Sequence, residues 1–300
     1  TECLGYLIVV YPPEEADIID WVAVHHAATA LSLQTLHQFY VEQQQEHIRH
    51  GFVYDLLFGR YHSSAVIEPR AVELGFNFTT PHRVILLQVR RAYHNKYAAL
   101  LTSVADQLSD RLHVPLLHTS FGQGLILLLP VQVDAGKFVK KLVEEAAKQF
   151  PSEPVRFVCG ISAQAELPSD YPAALDQAIQ SINIGSHVCP GETIYSYESL
   201  GVYRLFAELS SKEKHLLEGF SHRVLAEIKD RHELYETLQS YFSSGGSTEK
   251  AAESLYVHGN TVRYRLRKIE QLTGMSLGDP EDAFMLQLAL KLHQFLQIPT

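Results

Sequence analysis

No strand signal follows Tyr203, and that change of periodicity constrains the fold more than any other feature of the chain. From Arg83, short apolar and β-branched runs alternate with amphipathic helical stretches. From Phe206 to the end the pattern is helical throughout, punctuated by Gly245-Gly246 and Gly278-Asp279-Pro280. Such a chain is α+β: a mixed unit followed by a separate all-helical one. Its 300 residues suit about two domains on a prior of roughly 150 residues each.

In the mixed part the spacing predicts strands at Val84–Val89, near Val114–His118, at Leu125–Leu129, Val155–Ile161 and Thr193–Tyr197. Helices are predicted at about Lys96–Leu112, Asp134–Phe150 and Ala173–Gly185. The order β-α-β-β-α-β predicts a ferredoxin-like sandwich with extra elements at its end. Upstream, Gly5–Tyr11 reads as a strand stopped by Pro12-Pro13, and Glu14–Tyr40 as a helix with Ile18, Val22, Ala30, Leu33 and Leu36 at helical spacing. One strand and one helix make no domain, so this piece reads as the tail of a truncated one. Val41–Arg60 stays helical, first polar, then apolar at Phe52, Val53, Leu56 and Leu57. The expected division is therefore 1–40, a helical linker 41–82, a mixed domain 83–205 and a helical domain 206–300.

Charge narrows the function. Twenty-five Lys and Arg against thirty-four Asp and Glu give a net charge of −9, so a nucleic-acid role requires basic charge gathered in one place. It is gathered in His258–Ile269 (HGNTVRYRLRKI), where Arg263, Arg265, Arg267 and Lys268 occur with no acidic residue. On a helix, Val262, Leu266 and Ile269 share one face, while Asn260, Arg263, Tyr264 and Arg267 share the opposite one. Ser247–Leu255 before it reads as a capped helix with Ala251 and Ala252 in its middle, and Tyr256–Gly259 as a tight turn. Helix, turn and basic helix, over about 247–273, is the order of a helix-turn-helix. Asn260 and Arg263 are the base-reading candidates, since Asn pairs with adenine and Arg with guanine. Thr261, Tyr264, Arg265, Arg267 and Lys268 suit phosphate contacts, and His258 a helix N-cap or a phosphate donor. A solvated basic helix face is the plainer alternative for the charge run by itself.

Leu234–Leu292, with VHGNTVRYRLRKIEQLTG at its centre, closely resembles the C-terminal helix-turn-helix domain of PucR/CdaR-like bacterial transcriptional regulators. The family commonly has a basic residue where this chain has Gly259. Arg83 to about Phe206 resembles the degenerate GGDEF-like (nucleotide-cyclase-like) domain of the same regulators, and Gly5 to about Tyr40 the last strand and helix of a GAF-like sensor domain. The resemblance implies a double-stranded DNA operator, DNA contacts spanning His258 to Lys268, and a small-molecule effector sensed by the upstream domains. It is joined by an expected homodimer, since one helix-turn-helix covers about one half-site. The Val22–Leu57 region is the candidate dimer surface, or else packs on the absent half of the sensor domain.

Chemistry is not expected. A cyclase of this fold carries a Gly-Gly-Asp/Glu-Glu-Phe turn whose carboxylates bind metal, whereas Phe121-Gly122-Gln123-Gly124-Leu125 has neither carboxylate. No cofactor or metal site is expected: there is no Walker loop, Rossmann fingerprint or nucleophile elbow. His47 and His50 share a helix face without a third ligand, which favours a solvent-facing pair over a metal site. Cys3, Cys159 and Cys189 form neither a disulfide framework nor a Cys-x-x-Cys site, as suits a reducing cytosol. The longest apolar stretch, Leu125–Leu129, is about a quarter of the roughly 20 residues a membrane helix needs. The first residue is Thr1 and no basic-then-apolar leader follows it, so there is no signal peptide to interpret, and the chain reads as an excised piece of a longer protein, expected to be cytoplasmic. The expected function is a sequence-specific DNA-binding regulator. The alternatives are an architectural DNA-binding protein with little sequence selectivity, or a nucleotide-binding signalling enzyme.

Overall fold

The computed structural model describes residues 7–8, 10, 21–61, 63–90, 96–122, 124–149, 156–209 and 211–298. In chain order its first elements are α1 (Trp21–Leu57), α2 (Ser64–Glu73), β1 (His82–Arg90), α3 (Lys96–Leu112), β2 (Leu117–Phe121), β3 (Gly124–Pro130), α4 (Ala135–Lys148) and β4 (Arg156–Ala165). Then follow α5 (Tyr171–Val188), β5 (Ile194–Ser196), α6 (Tyr203–Ala207), α7 (Ser211–Leu225), α8 (His232–Ser243), α9 (Thr248–Ser254), α10 (Gly259–Thr273) and α11 (Pro280–Leu296). Two compact units are distinguished: 1–83, 92–154 and 165–172 form one, and 84–91, 155–164 and 173–300 the other. Among the described residues β2 and β3 belong to the first unit, and β1, β4 and β5 lie almost wholly in the second.

In the first unit β2 and β3 are antiparallel, from Leu117 opposite Leu128 to Phe121 opposite Gly124. Gly122 takes the left-handed φ of +58° that a tight hairpin of this kind requires. Gln123 lies outside the described residues. β3 is buried at every position, which is why its sequence is a continuous apolar run rather than an alternation. α3 packs on α4 and against β2 and β3. The Asp134 side chain caps α4 by accepting from the Lys137 backbone N–H at 2.9 Å, and Phe138, Val139, Leu142 and Val143 form its buried stripe. The two helical segments expected on either side of Val41 are one continuous helix, α1. Its Phe52, Val53, Leu56 and Leu57 are buried, while Trp21, Val22, Leu33 and Tyr40 are exposed. The Gly5–Tyr11 strand falls largely outside the described residues.

Of the pair expected to face solvent, His47 is exposed but His50 is half-buried. His50 sits edge-on to His118, with ring centroids 6.1 Å apart, and His118 Nε2 lies 2.8 Å from Asp106 Oδ1. Burial, then the neighbouring His118, holds His50 below its ordinary value. His82 is buried under Phe76 and shares a 3.2 Å hydrogen bond with the Tyr171 hydroxyl.

In the second unit β4 and β5 are parallel, with Cys159 opposite Ile194, and α5 supplies the crossover that a parallel pair needs. Gly160 permits that crossover, because a Cβ there would overlap the Ala178 carbonyl oxygen of α5. The last strand is one residue shorter at each end than predicted, and the second predicted strand lies three residues later, at Leu117–Phe121, because His113 turns the chain at a positive φ of 52° and residues 114–116 are spent on the connection. One helical core gathers Leu234 and Leu238 of α8, Ala251 and Ala252 of α9, Val262, Leu266 and Ile269 of α10, and Leu286, Ala289 and Leu290 of α11. A second cluster joins Leu292 of α11 to Ile184, Tyr197, Leu200, Tyr203 and Phe206.

Candidate nucleic-acid interface

The candidate site is built on α9, a four-residue connection and α10. Ser247 starts α9, its hydroxyl accepting from the Lys250 backbone N–H at 3.3 Å. Ala251 and Ala252 are buried, and their lack of bulk lets α9 lie close to α8 and α10. The turn is sharp because Tyr256 adopts a positive φ of 54°, and the Val257 N–H returns to the Ala252 carbonyl at 3.0 Å. His258 then caps α10, its Nδ1 accepting from the Asn260 N–H at 3.2 Å. Nδ1 thus serves as the helix cap, and the exposed ring keeps its Nε2–H as a donor, so capping and a phosphate contact are compatible. Gly274, at φ +70°, closes the helix by donating to the Glu270 carbonyl at 2.9 Å.

The faces of α10 fall where the periodicity puts them. Val262, Leu266 and Ile269 are buried in the helical core, and Asn260, Arg263, Tyr264 and Arg267 are exposed opposite them. Gly259, Thr261 and Lys268 are partly buried at the flanks, and His258 is exposed. The basic residues, however, do not form one uniform stripe. Arg265 lies beside the buried face with its side chain only 17% exposed, and its guanidinium donates to Glu233 Oε2 of α8 at 2.8 Å. Arg263 donates through Nη1 to Asn260 Oδ1 at 2.8 Å and through Nη2 to Glu249 Oε1 of α9 at 3.3 Å. Sequence reasoning missed both carboxylates. Glu233 lies thirty-two residues from its partner, so no local spacing points to it; Glu249 stands in the preceding helix, where opposite charge to the basic stripe was its only signal.

Elsewhere the arrangement offers little for chemistry. Among the described residues no group of three or more His, Cys, Asp or Glu side chains is placed to hold a metal ion. Cys159 is buried, which pushes its thiol up and away from reactivity. No helix among the described residues is long and apolar enough to cross a membrane.

Comparison with known proteins decides the kinship. Residues 234–292 match the family profile described as the PucR C-terminal helix-turn-helix domain, and residues 58–184 match the GGDEF-like domain. The chain is PucR/CdaR-like. It is similar to the Purine catabolism regulatory protein of Bacillus subtilis (strain 168), with 24% identity over 97% of this chain and 57% of that protein. The Proline-responsive transcriptional activator PutR of the same organism is 27% identical over 65% of this chain and 47% of its own length. The Carbohydrate diacid regulator of Escherichia coli (strain K12) is 23% identical over 84% of this chain and 67% of that protein. The chain thus spans about half the length of the first two relatives. The PucR-type profile runs from within α8 to within α11, so the matched region contains α9, the turn Leu255–His258 and α10.

Proposed function

We propose that this protein is a bacterial, cytoplasmic, sequence-specific DNA-binding transcriptional regulator of the PucR/CdaR type, with α10 as the recognition helix entering the major groove. The observation that carries the reading is the division of α10. Val262, Leu266 and Ile269 anchor it in the helical core while Asn260, Arg263, Tyr264 and Arg267 face outward from its first three turns. Asn260 and Arg263 read base edges. Thr261, Tyr264, Arg267 and Lys268 hold phosphates, and His258 and Gly259 bring the helix start close to the backbone. Arg265 holds α10 onto α8 through Glu233 and contributes positive potential from behind.

The 83–205 region is the ferredoxin-like, degenerate GGDEF-like domain and 206–300 the DNA-binding domain, with a linker over 41–82 and a GAF-like remnant over 1–40. Catalysis is not part of this reading, because a Gln-Gly pair at the hairpin gives metal ions no carboxylate. The exposed Trp21, Val22, Leu33 and Tyr40 of α1 support a homodimer through that helix. Relatives named for purine catabolism, proline response and carbohydrate diacids support a small-molecule effector acting through the upstream domains.

Fluorescence anisotropy with genomic promoter fragments and scrambled competitor, at several salt concentrations, tests the reading. Tight, competitor-resistant binding is expected. Equal binding to every sequence would instead establish an architectural role, and no binding at low salt would refute DNA recognition by this chain.

A further inference from the structure

The recognition surface contains an acidic residue that a purely electrostatic DNA binder would do without. Glu249 stands at the start of α9 beside the outward face of α10, and its side chain is 69% exposed. It is not a loosely placed solvent charge. Its Oε1 accepts from the Thr248 hydroxyl at 3.0 Å and from Arg263 Nη2 at 3.3 Å, and its Oε2 lies 3.4 Å from the Ser247 hydroxyl. Arg263 in turn donates to Asn260 Oδ1 at 2.8 Å. Three side chains from two helices therefore form one hydrogen-bonded unit, and two of them are the base-reading pair.

We infer that Glu249 is the positioning residue of that pair: it fixes Arg263, and through it Asn260, in one orientation, and so gives up overall DNA affinity for sequence discrimination. The inference deepens the DNA-binding reading and rests on it. A free arginine on a helix surface samples many rotamers and satisfies any nearby phosphate. One tethered to a carboxylate on the neighbouring helix has lost that freedom before DNA arrives. The tether leaves the reading chemistry intact. Arg263 has five N–H donors and spends two, so three remain for a base edge, while Asn260 keeps its amide donors and a second lone pair on Oδ1. The same carboxylate repels the phosphate backbone, whatever the sequence. Its removal should therefore strengthen binding to the wrong DNA and weaken the preference for the right one, whereas loss of a mere structural contact would weaken both.

The experiment compares the full chain with Glu249→Gln, Glu249→Asp, Glu253→Gln and the double variant Glu249→Gln/Arg263→Ala. Each is titrated by anisotropy against the best-binding promoter fragment and a scrambled duplex over a salt series, after melting curves establish folding. For Glu249→Gln the expected result is about two- to fivefold tighter binding to the scrambled duplex, a steeper salt dependence and roughly tenfold lower discrimination. Glu249→Asp retains the charge but shortens the reach, so it should lose discrimination with little gain in non-specific affinity. Glu253→Gln, an exposed acidic change on the same helix, should shift affinity alone. In the Arg263→Ala background the Glu249→Gln effect on discrimination should vanish. Selective wild-type binding with discrimination unchanged in Glu249→Gln and Glu249→Asp would overturn the positioning role and leave the regulator reading standing. A wild-type chain that binds no DNA would overturn both.

Discussion

Replacing Arg265 and Arg267 separately by alanine should yield two different phenotypes from two residues a little over half a turn apart on the same basic helix. Arg265 lies between α10 and α8, 2.8 Å from Glu233 and 3.5 Å from the Thr237 hydroxyl. Glu233 is 74% exposed, so water screens the pair and its contribution belongs in the range of about 0.2–1 kcal/mol for surface ion pairs. The buried aliphatic stem of the arginine adds packing that alanine forfeits, bringing the total to about 1–1.5 kcal/mol. In urea, with a slope of about 2 kcal/mol per molar, the midpoint for Arg265→Ala should fall by about 0.5–0.8 M. Its logarithmic salt dependence of DNA binding should stay within a few tenths of wild type. Arg267, exposed on the outer face, should behave in the opposite way: an unmoved midpoint and a salt slope reduced by about 0.9. A salt slope that drops by about one in Arg265→Ala, with no shift of the urea midpoint, would refute the assignment of this side chain to the fold.

Three other perturbations follow from the geometry. Gly160→Ala drives a methyl group into the Ala178 carbonyl and should lower stability by about 3 kcal/mol, read as a urea midpoint; an unchanged midpoint would show that α5 is not seated on β4 as described. Ser247→Ala removes the cap of α9 and should cost about 1 kcal/mol, whereas Ser247→Asp should recover it, in the same assay. Burial pushes the His82 imidazole down to about 4, below its value of about 6.5 in an unfolded chain. As pH falls from 6.5 the unfolded chain takes up that proton first. The His82 share of stability is thus complete above pH 6.5 and lost by pH 4, a loss of up to about 3 kcal/mol. His82→Gln should flatten this part of the stability profile, and parallel profiles for the two proteins would contradict the buried neutral imidazole.

Much of this organisation was legible because the signals were local. The strand and helix periods of 83–200 and the helical run after Tyr203 are short-range patterns set by which face is buried, and apart from the displaced β2 they appear close to where the spacing puts them. The same holds for the opposition of Val262, Leu266 and Ile269 to Asn260, Arg263, Tyr264 and Arg267. What the sequence hid is long-range or steric. A helical wheel already sets Arg265 beside the Val262–Leu266–Ile269 face, but only the position of α8 brings Glu233 within reach of it. The His50–His118 contact likewise joins α1 to β2, so the spacing of His47 and His50 carried no hint of it. The helical reading of Val41–Arg60 holds across the polar EQQQEH stretch, where the apolar stripe lapses while the backbone goes on hydrogen-bonding to itself.

α11 carries a consequence for how movement is passed along this part of the chain. Leu286, Ala289 and Leu290 sit in the same helical core as Val262 and Leu266 of α10, and Leu292 sits in the cluster around Ile184, Tyr197 and Tyr203, where the Tyr203 hydroxyl also grips Gln294 at 2.6 Å. At a rise of 1.5 Å per residue the centres of these two anchor zones lie only about 7 Å apart along one helix. A rod anchored in both clusters joins them mechanically: a displacement at the Tyr197–Tyr203 end is carried along α11 into the core it shares with Val262 and Leu266.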